Sequence, residues 1–511
     1  MPTGRQGGFY MLFQCSKDFP LAQTKQGTLR GYVLDGVYTF HGIKYADADR
    51  WQMPQPVKSW EGVKNADSFG FVCPIMYDDA PGGELRYHHG YWPGDENCQY
   101  LNVWSTDMTA KKPVMVWIHG GGYSFGSCKE LAAVDGDSLC RNGDVVVVTL
   151  NHRLNIIGFL DLSEYGEEYR YSANLGMADL VAALQWIKKN IAAFGGDPDN
   201  VTLFGQSGGG GKIQALMQIP AAEGLFHKAI VQSGYYRVPV LKSHAKVLPA
   251  KMMEHLGVKT VAEMAKLPYR DIVAAYNAVA PALRDEGYDV DWHPNPDGDY
   301  FLGSGVENGF CEWAKTIPTM SGVTFSEFNY SHLPTDWKSL SDKQVDSLLE
   351  KRYGEYAGQL KEQFAVAFPE KEKAELLAFD SYFGYPNKKF LDAKAAASSA
   401  PTYSYMFSYT FPYYDGSPAW HCSEIPYAYH STKDTPICGE PVVRERLETQ
   451  MCTAWTNFAK YGNPSCAMLP QWDEYTRGNE VTMIFDRSCR VAVDYDRKLL
   501  ETHFAATGGK R

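Results

Sequence analysis

The chain has 511 residues, 44% hydrophobic, 14% aromatic and 21% charged, the balance of a globular protein long enough to bury a large core. Its 49 basic and 60 acidic side chains leave a formal charge of −11, which argues against nucleic acid as a partner for the chain as a whole. Eleven cysteines are too few for a disulfide scaffold, and no apolar stretch approaches the ~20 residues needed to cross a bilayer, so a soluble protein of a reducing compartment is expected.

The N-terminus carries Arg5 and an apolar run over 9–13, shorter than the core of a secretory signal, and a cytoplasmic location is therefore expected. Asn200 and Asn329 fit the glycosylation pattern, which means nothing without export. Residues 28–45 alternate in polarity around Asp35-Gly36 and predict a hairpin. Apolar, β-rich runs at 114–119, 145–150, 201–204, 229–232, 319–324 and 403–409 predict strands. Between the second and third of these, apolar residues over 178–194 recur at helical spacing and stop at Gly195-Gly196-Asp197-Pro198. Segments 240–316 and 337–397 read as charged helical insertions that cap a sheet edge and shape a pocket, and 481–495 reads as a closing hairpin with its turn near 486–489. The order predicts an α/β protein with a mostly parallel sheet covered by helices. No repeat or linker interrupts it, so one domain over 20–505, after an N-terminal extension over 1–19, is the economical reading.

The segment Val201-Thr-Leu-Phe-Gly205-Gln-Ser207-Gly-Gly209 runs from a strand into G-x-S-x-G and then into a helical pattern over 212–218. A serine on so tight a turn needs small residues two positions away, and Gly205 and Gly209 supply them. With 47 glycines in the chain a chance match is the simpler reading, and the strand-turn-helix setting is what favours a nucleophile. The glycines at 208–211 before Lys212 also suggest a phosphate loop, but Gln206 and Ile213 stand where that motif needs Gly and Ser or Thr. Trp117-Ile-His119-Gly120-Gly121-Gly122-Tyr123 follows another strand. Its consecutive glycines let backbone amides approach a substrate, and with Ser207 downstream the pair points to acyl transfer through an oxyanion.

The chain order nucleophile, acid, base leaves His227, His244, His255, His293, His332, His421, His430 and His503 as bases. His227 lies in an apolar stretch and reads as structural, while His244 and His255 lie in charged helical sequence and read as solvated. His421 follows the strand at 403–409 across a loop with Pro412, Gly416 and Pro418, and is the favoured base. Glu327, just past the strand at 319–324, stands at the same sheet edge as Ser207, although any surface glutamate could do so by chance. There is no H-E-x-x-H or C-x-x-C, and His88-His89 reads as a solvated pair, so neither metal nor organic cofactor is expected.

The ordered motifs resemble the type-B carboxylesterases, the α/β-hydrolase family that includes cholinesterases and bacterial para-nitrobenzyl esterases. They run over 24–485: Phe40-His-Gly-Ile-Lys-Tyr45, Glu96-Asn-Cys98-Gln-Tyr-Leu-Asn-Val-Trp104, Asn151-His-Arg153-Leu154, Asn174-Leu-Gly-Met-Ala-Asp179, Leu184-Gln-Trp186, Phe194-Gly-Gly-Asp197-Pro-Asp-Asn-Val201, Gln232-Ser-Gly234, Trp455-Thr-Asn-Phe-Ala459 and Tyr461-Gly-Asn-Pro464. The resemblance implies an α/β-hydrolase fold with Ser207 as nucleophile, Glu327 as acid and His421, in Trp420-His-Cys-Ser-Glu424-Ile-Pro-Tyr427, as base. The oxyanion donors it implies are the amides of Gly121, Gly122 and Gly208. Arg153 with Asp179 resembles a structural ion pair. Cys73 and Cys98 match the family's first disulfide, which a cytoplasm would leave open.

Three departures stand out. Ser326-Glu327-Phe328 replaces the family's D-E-G, Gln206 replaces a glutamate beside the nucleophile and weakens the case for a cationic substrate, and 46–51 shortens a loop at the pocket rim. The implied activity is hydrolysis of small to medium uncharged or aromatic esters through an acyl-enzyme, without a cofactor. The implied state is a monomer or small homo-oligomer without nucleic-acid or membrane partners. Amides, carbamates and lactones fall to the same triad. The family also contains non-catalytic binding modules, but these lose the nucleophile that this chain keeps.

Overall fold

The computed structural model describes residues 12–76, 90, 92–238, 242–435 and 438–509; the apolar residues at 9–11 and His88-His89 lie outside them. Twelve strands form one sheet: β1 (Phe13–Gln14), β2 (Tyr32–Leu34), β3 (Val37–Lys44), β4 (Tyr100–Ser105), β5 (Lys112–Ile118), β6 (Val146–Leu150), β7 (Gly196–Gln206), β8 (Lys228–Gln232), β9 (Thr319–Thr324), β10 (Thr402–Phe407), β11 (Thr482–Phe485) and β12 (Arg490–Ala492). Their spatial order is β1-β2-β3-β4-β6-β5-β7-β8-β9-β10-β11-β12. The run from β6 to β11 is parallel and the strands outside it are antiparallel. This is the mostly parallel, helix-covered sheet expected of an α/β-hydrolase.

The side-chain period of two divides the core between the faces of the sheet. Val114, Val116 and Ile118 of β5, with Val201 and Leu203 of β7, face one hydrophobic cluster, together with Leu180 and Leu184 of helix α1 (Leu175–Asn190). Met115 and Trp117 of β5, with Phe204 of β7, face the other, together with Trp455 and Phe458 of a helix over Pro441–Tyr461. The first insertion adds helices Val247–Leu256 and Tyr269–Asp285 to the first cluster. The second adds Asp342–Tyr353 and Ala357–Ala367 to the other.

Both hairpins form where the alternation places them. Leu34 pairs with Val37 across Asp35 and Gly36, both in left-handed conformation, and Ile484 pairs with Arg490. Several boundaries differ from expectation. The helix predicted over 178–194 begins at Leu175, and its last residues, Ile191–Phe194, tighten into a 3-10 turn before left-handed Gly195. Strand β7 begins at Gly196 rather than 201, because Lys112 of β5 pairs with Gly196 across a bulge. The helix expected from 212 starts at Gly208, here α2 (Gly208–Leu216), directly after Ser207. His244 is also not solvated. It is buried, its Nδ1 is 2.5 Å from the Asp289 carbonyl oxygen, and burial pushes its pKa down. The neighbouring carboxylate of Asp289 meets His293 Nε2 at 3.1 Å.

Candidate active site

Parallel strands expose their carboxyl ends at one edge, and the site is built there. Ile118 of β5 lies opposite Gly205 of β7, and Gln206 lies opposite Gln232 of β8. The loop at 119–122, Ser207, Ser233 and Glu327 therefore all emerge beside one another. Ser207 has φ 57° and ψ −126°, a strained left-handed conformation for a residue with a side chain. The turn closes because its flanking residues are glycines. A Cβ on Gly209 would lie 2.0 Å from the Ile118 carbonyl oxygen, and one on Gly205 2.6 Å from the same atom.

The glycine loop packs against the start of α2. Gly121 and Gly122 have φ 79° and 60°, and the Ser124 and Phe125 amides bond the Gly121 carbonyl at 3.2 and 3.1 Å, which closes the loop into a turn. A Cβ on Gly208 would stand 2.6 Å from the Gly122 amide nitrogen, so the amides of the loop and of the helix share a small space next to Ser207. Gly208 is the first residue of α2, where an amide has no carbonyl one turn earlier to bond and where the helix favours negative charge.

His421 and Glu327 are both buried, and the carboxylate bonds the imidazole through Oε2 and Nδ1. The His421 amide also donates to the Glu327 carbonyl at 2.9 Å, so backbone and side chain fix the pair together. Oε1 of Glu327 accepts from the Ser233 hydroxyl at 2.7 Å and from the Thr324 amide at 2.8 Å. With its oxygens occupied, Glu327 holds the Nδ1–H tautomer and leaves Nε2 to accept. Gln206 sets its side-chain nitrogen 3.2 Å from that Nε2, and its Oε1 accepts from the Cys422 thiol at 3.1 Å. The residue preceding Ser207 thus touches His421 directly. Phe328 and Phe383 lie against the imidazole, with ring centroids 4.4 and 4.9 Å away.

A second carboxylate stands close by. Glu424 is wholly buried, and burial, then the charge of Glu327, pushes its pKa up to about 7. Gln232 Nε2 reaches its Oε1 at 3.3 Å. A glutamate at 206 would have made a third carboxylate here, and the amide of Gln206 orients His421 without adding charge.

Cys73 and Cys98 are both buried free thiols, so the implied bridge is not formed. They are neighbours: burial and then the contact with Cys73 push the Cys98 thiol well up, while Cys73 Sγ accepts from the Leu154 amide at 3.2 Å. His227 is structural, its Nδ1 accepting from the Val201 amide at 3.1 Å, and His255 is exposed. Among the described residues, no group of three or more His, Cys, Asp or Glu is placed to hold a metal ion. No helix among them is long and apolar enough to cross a membrane. Ser233, Cys422 and the Gln206–His421 contact were not expected from sequence; the only signal was that Gln232-Ser-Gly234 ends a strand at the same edge.

The family profile described as "Carboxylesterase family" matches residues 18–503. The chain belongs to the carboxylesterase family. This carboxylesterase, a serine carboxylic-ester hydrolase of α/β-hydrolase fold, is 32% identical over 505 residues to the para-nitrobenzyl esterase of Bacillus subtilis (strain 168), covering 96% of this chain and 99% of that one. It is 31% identical over 496 residues to the phenmedipham hydrolase of Pseudarthrobacter oxydans, covering 94% and 97%. Among solved structures it resembles an esterase from anaerobic Clostridium hathewayi, described as able to hydrolyze aliphatic aromatic polyesters. That likeness has a TM-score of 0.93 and 47% identity, covering 97% of this chain and 100% of the other.

Proposed function

We propose that Ser207, His421 and Glu327 are the catalytic triad of this esterase and that the amides of Gly121, Gly122 and Gly208 form its oxyanion hole. The observation that carries this reading is the positive-φ serine between β7 and α2, beside a glycine loop, with the preceding residue Gln206 touching an imidazole already bonded to a buried glutamate. His421 Nε2 takes the Ser207 proton as Oγ bonds to the ester carbonyl carbon, and Glu327 holds the resulting imidazolium. The three amides bond the oxyanion. The alkoxide leaves with the proton from His421, and water repeats the sequence on the acyl-enzyme to release the acid. These steps draw only on the chain's own groups.

The substrates proposed are uncharged esters carrying an aromatic group. Phe328 and Phe383 flank His421, Tyr235 and Tyr382 pack on Phe383 at 5.6 and 5.3 Å, and Phe125, beside the glycine loop, is 41% exposed. Such faces stack on aryl rings. The description of the Clostridium hathewayi esterase favours the same class and extends it to aryl polyesters. Aryl carbamates are the second reading, favoured by the likeness to phenmedipham hydrolase. Residues 20–505 act as one catalytic unit, since the residues proposed for the site come from across a single sheet. The protein works in the cytoplasm as a monomer or small homo-oligomer.

A fluorophosphonate probe is expected to label Ser207, and Ser207→Ala to lower ester turnover by about 10⁴-fold or more without loss of fold. Label on another residue, or undiminished turnover, would overturn the triad. In wild type, kcat/KM for benzyl butyrate above that for hexyl butyrate supports the aromatic preference, and the reverse order refutes it.

A further inference from the structure

Lys212 is wholly buried in the helix that follows the nucleophile, where a lysine has no ordinary reason to be. Its Nζ donates to the His119 carbonyl oxygen at 3.0 Å, and no carboxylate of the described residues is its ion-pair partner. Its surroundings are the face of Tyr123, whose ring centroid is 5.7 Å away, the stacked imidazoles of His119 and His152, and, further off, Glu130 and Cys73. Both histidines are held well below their ordinary pKa, by burial first and then by the nearby lysine, so the lysine is the cation of this cluster. An uncompensated buried ammonium is costly, and a position that keeps one is a place to look for a task.

The geometry names the task. Lys212 is four residues after Gly208 and so on the same face of α2, while His119 is two residues before Gly121. One hydrogen bond therefore spans the two elements that carry the oxyanion donors, and those elements meet where Gly208 lies against the Gly122 backbone. Donors must stand about 2.7–3.1 Å from the oxyanion, so the gap between helix and loop has to be held to a few tenths of an ångström. We propose that Lys212 is a positioning residue for the oxyanion hole. Its ammonium ties α2 to the root of the glycine loop, sets the gap between Gly208 and the pair Gly121 and Gly122, and adds positive charge behind the point where the oxyanion forms. This rests on the reading of Ser207 as nucleophile given above.

The charge is conditional. Burial lowers the Lys212 pKa to about 7, so the cation is present below that pH and is lost as the pH rises through it. The wild-type rate is then expected to fall on the alkaline side.

The test compares wild type with Lys212→Met and Lys212→Gln as full chains, using 4-nitrophenyl butyrate from pH 5.5 to 9.5 and inhibition by an aryl trifluoromethyl ketone, which forms an oxyanion on the serine. Both variants are expected to lose kcat by about 10- to 100-fold with KM nearly unchanged, to bind the ketone more weakly in the same proportion, and to lack the alkaline fall. Unchanged kcat and pH profile in either variant would overturn the proposal. Where one variant fails to fold, the other decides by the same kcat, KM and ketone readouts. Fluorophosphonate separates the two failures. Absence of label on wild-type Ser207 defeats the triad, whereas label with normal turnover in Lys212→Met defeats only the role of Lys212.

Discussion

Gly208 serves two elements at once, as the first residue of α2 and as the floor under the glycine loop. A methyl group there would stand 2.3 Å from the Gly122 carbonyl oxygen and 2.5 Å from its Cα, so the loop would have to retreat. Gly208→Ala is accordingly expected to reduce kcat by about 10²- to 10³-fold while KM changes little. Steady-state kinetics decide this, and a kcat within twofold of wild type would show that the loop tolerates the displacement. At this scale legibility depends on whether a role lies within one short segment. The tight turn at Ser207 writes its glycines two positions to each side, so the segment reads in sequence. Ser233, Cys422 and Lys212 have no local signature. Ser233 meets Glu327 from just past the end of β8, 94 residues earlier, and the lysine meets a carbonyl 93 residues before it.

Among the elements, α1 is tied to the segment after β6 by a buried ion pair. Arg153 Nη2 and Nε meet the two carboxylate oxygens of Asp179 at 2.7 and 2.9 Å, and the Arg153 amide adds a third bond at 2.9 Å. Arg153 also donates to the Asp49 and Gln52 carbonyls at 3.3 and 2.8 Å, so the same guanidinium pins the segment 49–52. Breaking such a pair from one side strands a buried charge. Asp179→Asn is expected to lower stability by about 3–5 kcal/mol, read from urea denaturation, and a loss below about 1 kcal/mol would mean that the pair only breaks even against its desolvation. The elements themselves were legible wherever periodicity and burial agree, as at β9, which occupies 319–324 as predicted. Their ends were less so. Strand β7 gains five residues at its start because β5 offers it a partner, and His244 is buried because a short strand pair, Lys242–Ser243 with Tyr288–Asp289, folds over its segment. Charged sequence around a residue does not report what a distant segment lays on top of it.

For the whole molecule, the buried carboxyl of Glu424 near His421 couples stability to pH. Glu424 carries a pKa raised to about 7, so the folded state holds its proton while the unfolded chain releases it from the ordinary 4.5 upward. Stability from this group is intact below that lower value and declines as the pH climbs to about 7, by about 3 kcal/mol at most. Glu424→Gln is therefore expected to melt higher than wild type at pH 8, with the difference shrinking toward pH 5; thermal melts across that range check it, and a constant difference would contradict it. The sequence by itself determined the alternation of strands and helices, the nucleophile turn, the glycine loop and the family, because each rests on local spacing or on a run of ordered motifs. Tertiary structure alone decided that Gln206 touches the imidazole, that Glu424 is forced toward neutrality, that Cys73 and Cys98 lie together as thiols, and that Lys212 reaches His119. Those are properties of distance and dielectric between remote segments, and residue spacing along the chain does not encode them.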